Sequence, residues 1–205
     1  MSRSFVGTSG GAVRLTRAKW EVWTAVNQAR RVRRSHPATV RICWDLDNTL
    51  VDSGTLIHAG RSLPDAIVEA QPVPNMLEFF GAMQALLPEA AHFILSARAR
   101  SMRRSTVAWL QRHGLTSTGA AVCFVPRADA KPRVWTQLAR DARLVIVDDL
   151  TYDHESDRPS VYLELVECAE RAACVYIGLD QISQIAADSR AVEAVAAQAV
   201  DSLPR

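Results

Sequence analysis

Lysine is nearly missing from this chain: among its 24 basic residues only Lys19 and Lys131 are lysines, the others being arginines. The two side chains are not interchangeable, so a lysine in an arginine-rich chain marks a place suited to a compact point charge, and Lys131 is singled out on that ground. Long apolar runs are missing too, none approaching the ~18–20 residues needed to cross a bilayer. The stretch Met1 to Ala12 holds no sustained apolar core, and the expectation is a cytoplasmic protein with no membrane partner. Cysteine is sparse: Cys43, Cys123, Cys168 and Cys174 form no C-x-x-C pair and read as buried free thiols in a reducing compartment. Charge of one sign is also lacking. A formal net charge of +2 does not mark a nucleic-acid binder, although local patches stay open. With 205 residues, 48% hydrophobic and 22% charged, one well-cored domain is expected.

What is present is organised around residues 39–51, an apolar run that breaks into two carboxylates, Asp45 and Asp47. Val40, Ile42 and Trp44 favour a buried strand. Asp45, Asp47 and Thr49 then fall at its carboxyl end, where open α/β sheets hold ligands. Side chains two apart on extended backbone point the same way, so the two acids repel unless a cation sits beside them. A hard divalent ion such as Mg²⁺ answers that need. The structural alternative is a solvated acidic turn.

Around this run, residues 1–14 predict a mobile tail and residues 15–35 a helical extension with Thr16 as N-cap. Trp20, Trp23, Val26 and Ala29 make its apolar stripe, packing on this domain or on a second copy in a homodimer. Arg30, Arg31, Arg33 and Arg34 in its last turns either complement the helix dipole or form a patch for a polyanion. Residues 52–74 read as irregular with a short helix near 64–70. Helices are predicted over 75–87, 101–113 with Gly114 at C′, 131–140 with Pro132 in the first turn, 160–171 and 179–200. Strands are predicted over 91–96, 120–125, 144–147 and 173–177, with a polar loop over 151–159. The alternation implies an α/β fold with a mostly parallel sheet covered on both faces.

Four features stand in order: Asp45-Leu46-Asp47-Asn48-Thr49, Ser96 at the end of one apolar run, Lys131 at a helix start, and Asp148-Asp149 at the end of another run. Together they resemble the signatures of the haloacid dehalogenase superfamily, over about residues 39–178 as a catalytic core, with 179–205 as a C-terminal helix outside it. The resemblance implies a Rossmann-like phosphoryl-transfer fold with a small or absent cap. It implies Asp45 as nucleophile forming an aspartyl-phosphate, Asp47 as general acid and base, and Thr49 holding the turn. Ser96 and Lys131 would contact the phosphoryl group. Mg²⁺ would be held by Asp45, the backbone carbonyl of Asp47, and Asp148, Asp149 or both. Dehalogenases of this superfamily lack the second acid and its ion pumps carry Thr there, so Asp47 implies phosphatase or phosphomutase chemistry.

Substrate range is less legible. The spacings Val51 to Asn75 and Ser96 to Lys131 are too short for a full cap domain. The stretch Leu95-Ser96-Ala97-Arg98 resembles the Ser-Gly-Arg triplet of the 3′-phosphatase modules of polynucleotide kinase-phosphatases, with Ala97 in place of Gly, implying Arg98 as a phosphate contact. A nucleotide or a polynucleotide 3′-phosphate is therefore one expected substrate, beside small phosphometabolites and phosphoproteins. A phosphotransferase and a non-catalytic binding module are the rival readings.

Overall fold

The computed structural model describes residues 17–35, 37–54, 63–117, 119–152 and 160–204. In chain order the first elements are α1 (Arg17–Ser35), β1 (Val40–Trp44), α2 (Leu63–Glu69), α3 (Met76–Leu86), β2 (Ala91–Ser96), α4 (Arg103–Arg112) and β3 (Ala121–Phe124). There follow α5 (Lys131–Leu138), β4 (Arg143–Val147), β5 (Thr151–Tyr152), β6 (Ser160–Val161), α6 (Leu163–Ala172), β7 (Val175–Ile177), α7 (Leu179–Ala187) and α8 (Ala191–Asp201). Five strands form one parallel sheet in the order β3-β2-β1-β4-β7. The result is the Rossmann-like α/β architecture that the alternating pattern implies, with β1 at the centre.

All five residues of β1 are buried, because a parallel strand is covered on both faces. Val40, Ile42 and Trp44 enter one core with Ile94, Phe79, Phe80, Trp109, Ile185 and Val195, under α2, α3, α4, α7 and α8. Cys43 enters the other, with Phe93, Leu95, Ile146, Trp135 and Leu138, under α1, α5 and α6. Burying a large apolar side chain of this kind contributes ~1.5–3 kcal/mol. Register sets the next step: Trp44 lies beside Val147 of β4, so the residues that follow, Asp45 and Asp148, emerge side by side at the carboxyl edge.

The helices over 76–86 and 131–138 and the strands agree with the sequence pattern, and Gly114 closes α4 at φ 74°. Other expectations are corrected. On α1 the buried residues are Val22, Ala25 and Ala29, while Trp20 and Trp23 are 41% and 57% exposed. The small inner side chains let the helix approach the sheet closely enough for Gln28 Nε2 to donate to the Val122 carbonyl at 2.7 Å, a gap with no room for an indole. The single C-terminal helix is two helices. Asp188 turns to extended backbone (φ −145°, ψ 116°), and its carboxylate accepts the Arg190 N–H at 3.0 Å, an aspartate side chain competing with the helical ladder.

Thr151–Tyr152 is not loop but pairs antiparallel with Ser160–Val161, and α6 starts only at Leu163. Of the four cysteines, Cys43 and Cys123 are buried, Cys168 is half-buried and Cys174 is exposed beside the edge strand β7. The tail over 1–14 and the cap at Thr16 lie outside the described residues.

Beside Trp44 sits a buried titratable group. His92 Nδ1 accepts the Trp44 Nε1–H at 3.1 Å, its ring packs on Trp44 and Phe80, and burial pulls its pKa down to about 4. A depressed histidine contributes stability that is complete above its ordinary value of 6.5 and is lost as pH falls toward 4, because the unfolded chain binds the proton first. His92→Asn keeps an acceptor for the indole, and the difference between the two chains in denaturant unfolding isolates the histidine: relative to this variant, the parent chain is expected to lose stability as pH falls across that window.

Candidate active site

The sheet fixes the backbone of two aspartates. Asp45 N–H continues the ladder to the Val147 carbonyl at 2.8 Å, and Asp148 N–H to the Ile177 carbonyl at 3.1 Å. Beyond Asp45 the chain turns tightly. Leu50 and Val51 N–H both return to the Leu46 carbonyl at 2.9 and 2.8 Å, and Asn48 takes φ 55°, a left-handed conformation that asparagine tolerates. Thr49 is buried within that turn. Its hydroxyl donates to Asp149 Oδ1 at 3.0 Å and accepts the Asp149 N–H at 3.2 Å, tying the β1 turn to the end of β4. Thr151 N–H donates to the other oxygen, Asp149 Oδ2, at 3.2 Å, and the Thr151 hydroxyl hydrogen-bonds there as well.

Asp45, Asp148 and Asp149 are all buried, and a carboxylate oxygen from each lies within 4.8 Å of the others. Lys131 enters from the first residue of α5, its Nζ donating to Asp45 Oδ1 at 2.8 Å and to Asp148 Oδ2 at 2.7 Å. Asp47 stands apart from this trio. Its carboxylate is gripped by the fork of Arg98, with Nε at 2.9 and 3.0 Å from the two oxygens and Nη2 at 2.7 Å. Arg98 is 5% exposed and also donates to Thr106 Oγ1 at 3.2 Å. Ser96 is fully buried, and its Oγ accepts the Arg98 N–H at 3.1 Å.

The eight residues anticipated for the site thus meet at the carboxyl ends of β1, β2 and β4. Asp45, Asp47, Lys131, Asp148 and Asp149 line an open cleft of about 390 Å³, with Thr49, Ser96 and Arg98 behind them. Among the anticipated residues four carboxylates face two cations, Lys131 and Arg98, while Arg127 and Asp129 at the rim pair with each other. Burial foremost, then the charge of Asp148, pushes the Asp45 carboxyl well above its ordinary range. Burial does the same to Asp148, and burial with the charge of Asp45 pushes Asp149 up to about 6. Burial alone would lower the Lys131 ammonium, yet Asp148 and Asp45 together hold it above its usual value. The site is short of positive charge, and its clustered donors are hard carboxylate oxygens. That set fits a divalent cation of the Mg²⁺ type, with Asp45, Asp148 and Asp149 as its side-chain ligands.

Residues not singled out in the sequence complete the cleft: Arg127, Asp129, Leu150, Thr151, Tyr152 and Tyr162. The rings of Tyr152, on β5, and Tyr162, just after β6, pack against each other with centroids 4.4 Å apart and planes tilted by 35°. Tyr176 donates its hydroxyl hydrogen to the Asp148 carbonyl at 2.9 Å, bracing that residue from below. Short strands of two residues carry too little periodicity to be read, and the tyrosine pair has no other signal.

A carboxyl raised in the folded state contributes stability that is complete below its unfolded value and is lost as pH rises through the folded one. For Asp149 that window runs from 3.8 to about 6. Metal-free protein is therefore expected to lose melting temperature as pH rises through this range. Added Mg²⁺ should raise the melting temperature near neutral pH and have no effect in acid, where protons hold the oxygens. Asp149→Asn is expected to flatten the pH slope and abolish the Mg²⁺ increment, both read by differential scanning calorimetry. Compared with protein-family models, with curated proteins and with solved structures, the chain gives no match, and its function is read from the chemistry of these residues.

Proposed function

We propose that this chain is a Mg²⁺-dependent phosphomonoesterase of the haloacid dehalogenase type, working through an aspartyl-phosphate on Asp45. The observation that carries the reading is the meeting of Asp45, Asp148 and Asp149 around the Lys131 ammonium at the ends of two adjacent parallel strands. A binding site for an anion would not be lined with buried acids, whereas a nucleophilic carboxylate that must approach a phosphate dianion needs cationic charge beside it, which Lys131 and a metal held by the three acids would supply. A divalent cation held by Asp45, Asp148 and Asp149 would supply charge neutralisation and orientation for the phosphoryl oxygens. The two stretches where a cap would be inserted hold, among the described residues, only α2 in the first, and α4, β3 and short turns in the second.

The roles follow from position. An Asp45 carboxylate oxygen attacks phosphorus, and the ester P–O bond breaks as the Asp45–phosphorus bond forms. Asp47, protonated for this step, passes its proton to the departing oxygen. In the second half water attacks phosphorus, Asp47 takes the water proton, and Asp45 is released as carboxylate with inorganic phosphate. Lys131 neutralises Asp45 and, through Asp148, keeps its carboxylate oriented. Arg98 grips the Asp47 side chain through both of its oxygens, and the acid half needs Asp47 to leave the guanidinium. Ser96 fixes the backbone of that arginine.

Phosphate release by purified protein is the test, with Mg²⁺ and with EDTA, from p-nitrophenyl phosphate, mononucleotides, sugar phosphates, a phosphopeptide and a 3′-phosphorylated oligonucleotide. Release is expected with Mg²⁺ only. Asp45→Asn should abolish it, and Asp47→Asn should lower kcat by roughly 10²-fold, the scale of a lost general acid–base. Added alcohol acceptors would reveal a phosphotransferase by a transfer product. Turnover retained in Asp45→Asn would rule out the covalent route.

A further inference from the structure

The outer face of α1 has no use in the chemistry above. Trp20, Trp23, Asn27, Arg30, Arg31 and Arg34 recur at three- and four-residue spacing, which places them on one side of the helix. That side is opposite Val22, Ala25 and Ala29, which bury against the sheet. Both indoles are exposed, at 41% and 57%, and Trp23, Asn27, Arg30, Arg31 and Arg34 line a shallow depression of about 280 Å³. Among the described residues this face carries no carboxylate. By helical rise Trp20 and Arg34 are ~21 Å apart, a track rather than a spot.

The track continues toward the candidate site. Arg100 lays its guanidinium on the Trp20 ring at 5.1 Å, and Arg103 lies over Phe124 at 5.8 Å. A second groove under the edge of α1 is lined by Trp20, Gln28, Arg100, Arg103 and Phe124, with Glu21 as its one acid, and it reaches Arg98. Arg98 is the residue that grips Asp47 in the catalytic cleft.

We infer that the outer face of α1, continued by Arg100 and Arg103, binds single-stranded nucleic acid. Two exposed flat aromatic rings with arginines on either side of them, Arg100 at one end and Arg31 and Arg34 at the other, match a polymer that carries both phosphates and unstacked bases. A duplex keeps its bases stacked on each other and offers the indoles nothing. A lipid surface is disfavoured because membrane-lying helices sink a broad apolar face into the bilayer, and the apolar face of α1 is already committed to the core. This binding surface is independent of the phosphatase reading, since Trp20, Trp23, Arg31, Arg34, Arg100 and Arg103 take no part in the proposed chemistry.

The experiment is fluorescence anisotropy of a labelled single-stranded oligonucleotide with the full chain in EDTA, so that turnover does not enter, over a salt series. Binding is expected, with log K falling linearly in log salt. Arg31→Ala with Arg34→Ala should reduce that slope by ~0.7 for each phosphate left without its arginine. Trp23→Ala should weaken binding roughly tenfold, and Trp23→Phe should recover part of it, as stacking requires. Phosphate release from a small ester should be unchanged in these variants. Absence of binding, equal or tighter binding of duplex or of anionic-lipid vesicles, or affinity and slope unmoved by the substitutions would overturn the inference. So would a chain that sediments as a dimer and becomes a monomer with Trp23→Ala, because the face would then belong to a second copy.

Discussion

Three buried carboxylates with oxygens within 4.8 Å of one another are a cost that the rest of this fold has to meet. Parallel strands ending at the same level deliver the charges together, and desolvation magnifies their repulsion. Lys131 is the chain's own answer, and it works only from one place, the first turn of a helix aimed at the strand ends. That helix, α5, is held in turn by Trp135 and Leu138 in the core and by α1 and α6 packed on it. Thr49 and Thr151 meet the remaining demand by satisfying the oxygens of Asp149. The residual charge deficit is what a divalent ion is suited to fill.

How far all this can be read from the chain depends on the range of the interaction. Strand β1 and the acids beyond it are legible because β-branched and aromatic residues favour buried strands, and two acids two positions apart share a side. Gly114 is legible because a helix end needs a residue tolerant of positive φ. The grip of Arg98 on Asp47 is not, since 51 positions separate them and only the adjacency of β1 and β2 brings them together. The orientation of α1 is hidden for a related reason: periodicity defines a stripe, but the partner surface decides whether bulky Trp20 and Trp23 or small Ala25 and Ala29 fit against it. The break at Asp188 escapes notice because a run rich in alanine looks helical throughout, whereas one carboxylate hydrogen bond to Arg190 ends the ladder.

Arg98 joins two parts of the molecule that the chain keeps far apart. On one side its guanidinium holds Asp47 at the cleft. On the other it forms part of the wall of the groove beneath α1. Arg98 is therefore shared between the groove beneath α1 and the carboxylate at the candidate site.

Arg41 has a different kind of reach. It is a charged residue on the central strand, 1% exposed, and its guanidinium leaves the sheet at the end opposite the cleft to donate to the Leu138 carbonyl at 2.8 Å and to Asp141 at 2.6 Å. Asp141 also receives Arg33 of α1 at 3.1 Å. One exposed carboxylate thereby staples the central strand, the end of α5 and the first helix. A helix that looks detachable on paper is, in three dimensions, a wall of the core on one side of the sheet. Deleting it would strip Trp135 and its neighbours of their cover and take Arg33 from the network around the buried Arg41, so the core on this side of the sheet is closed only with α1 in place.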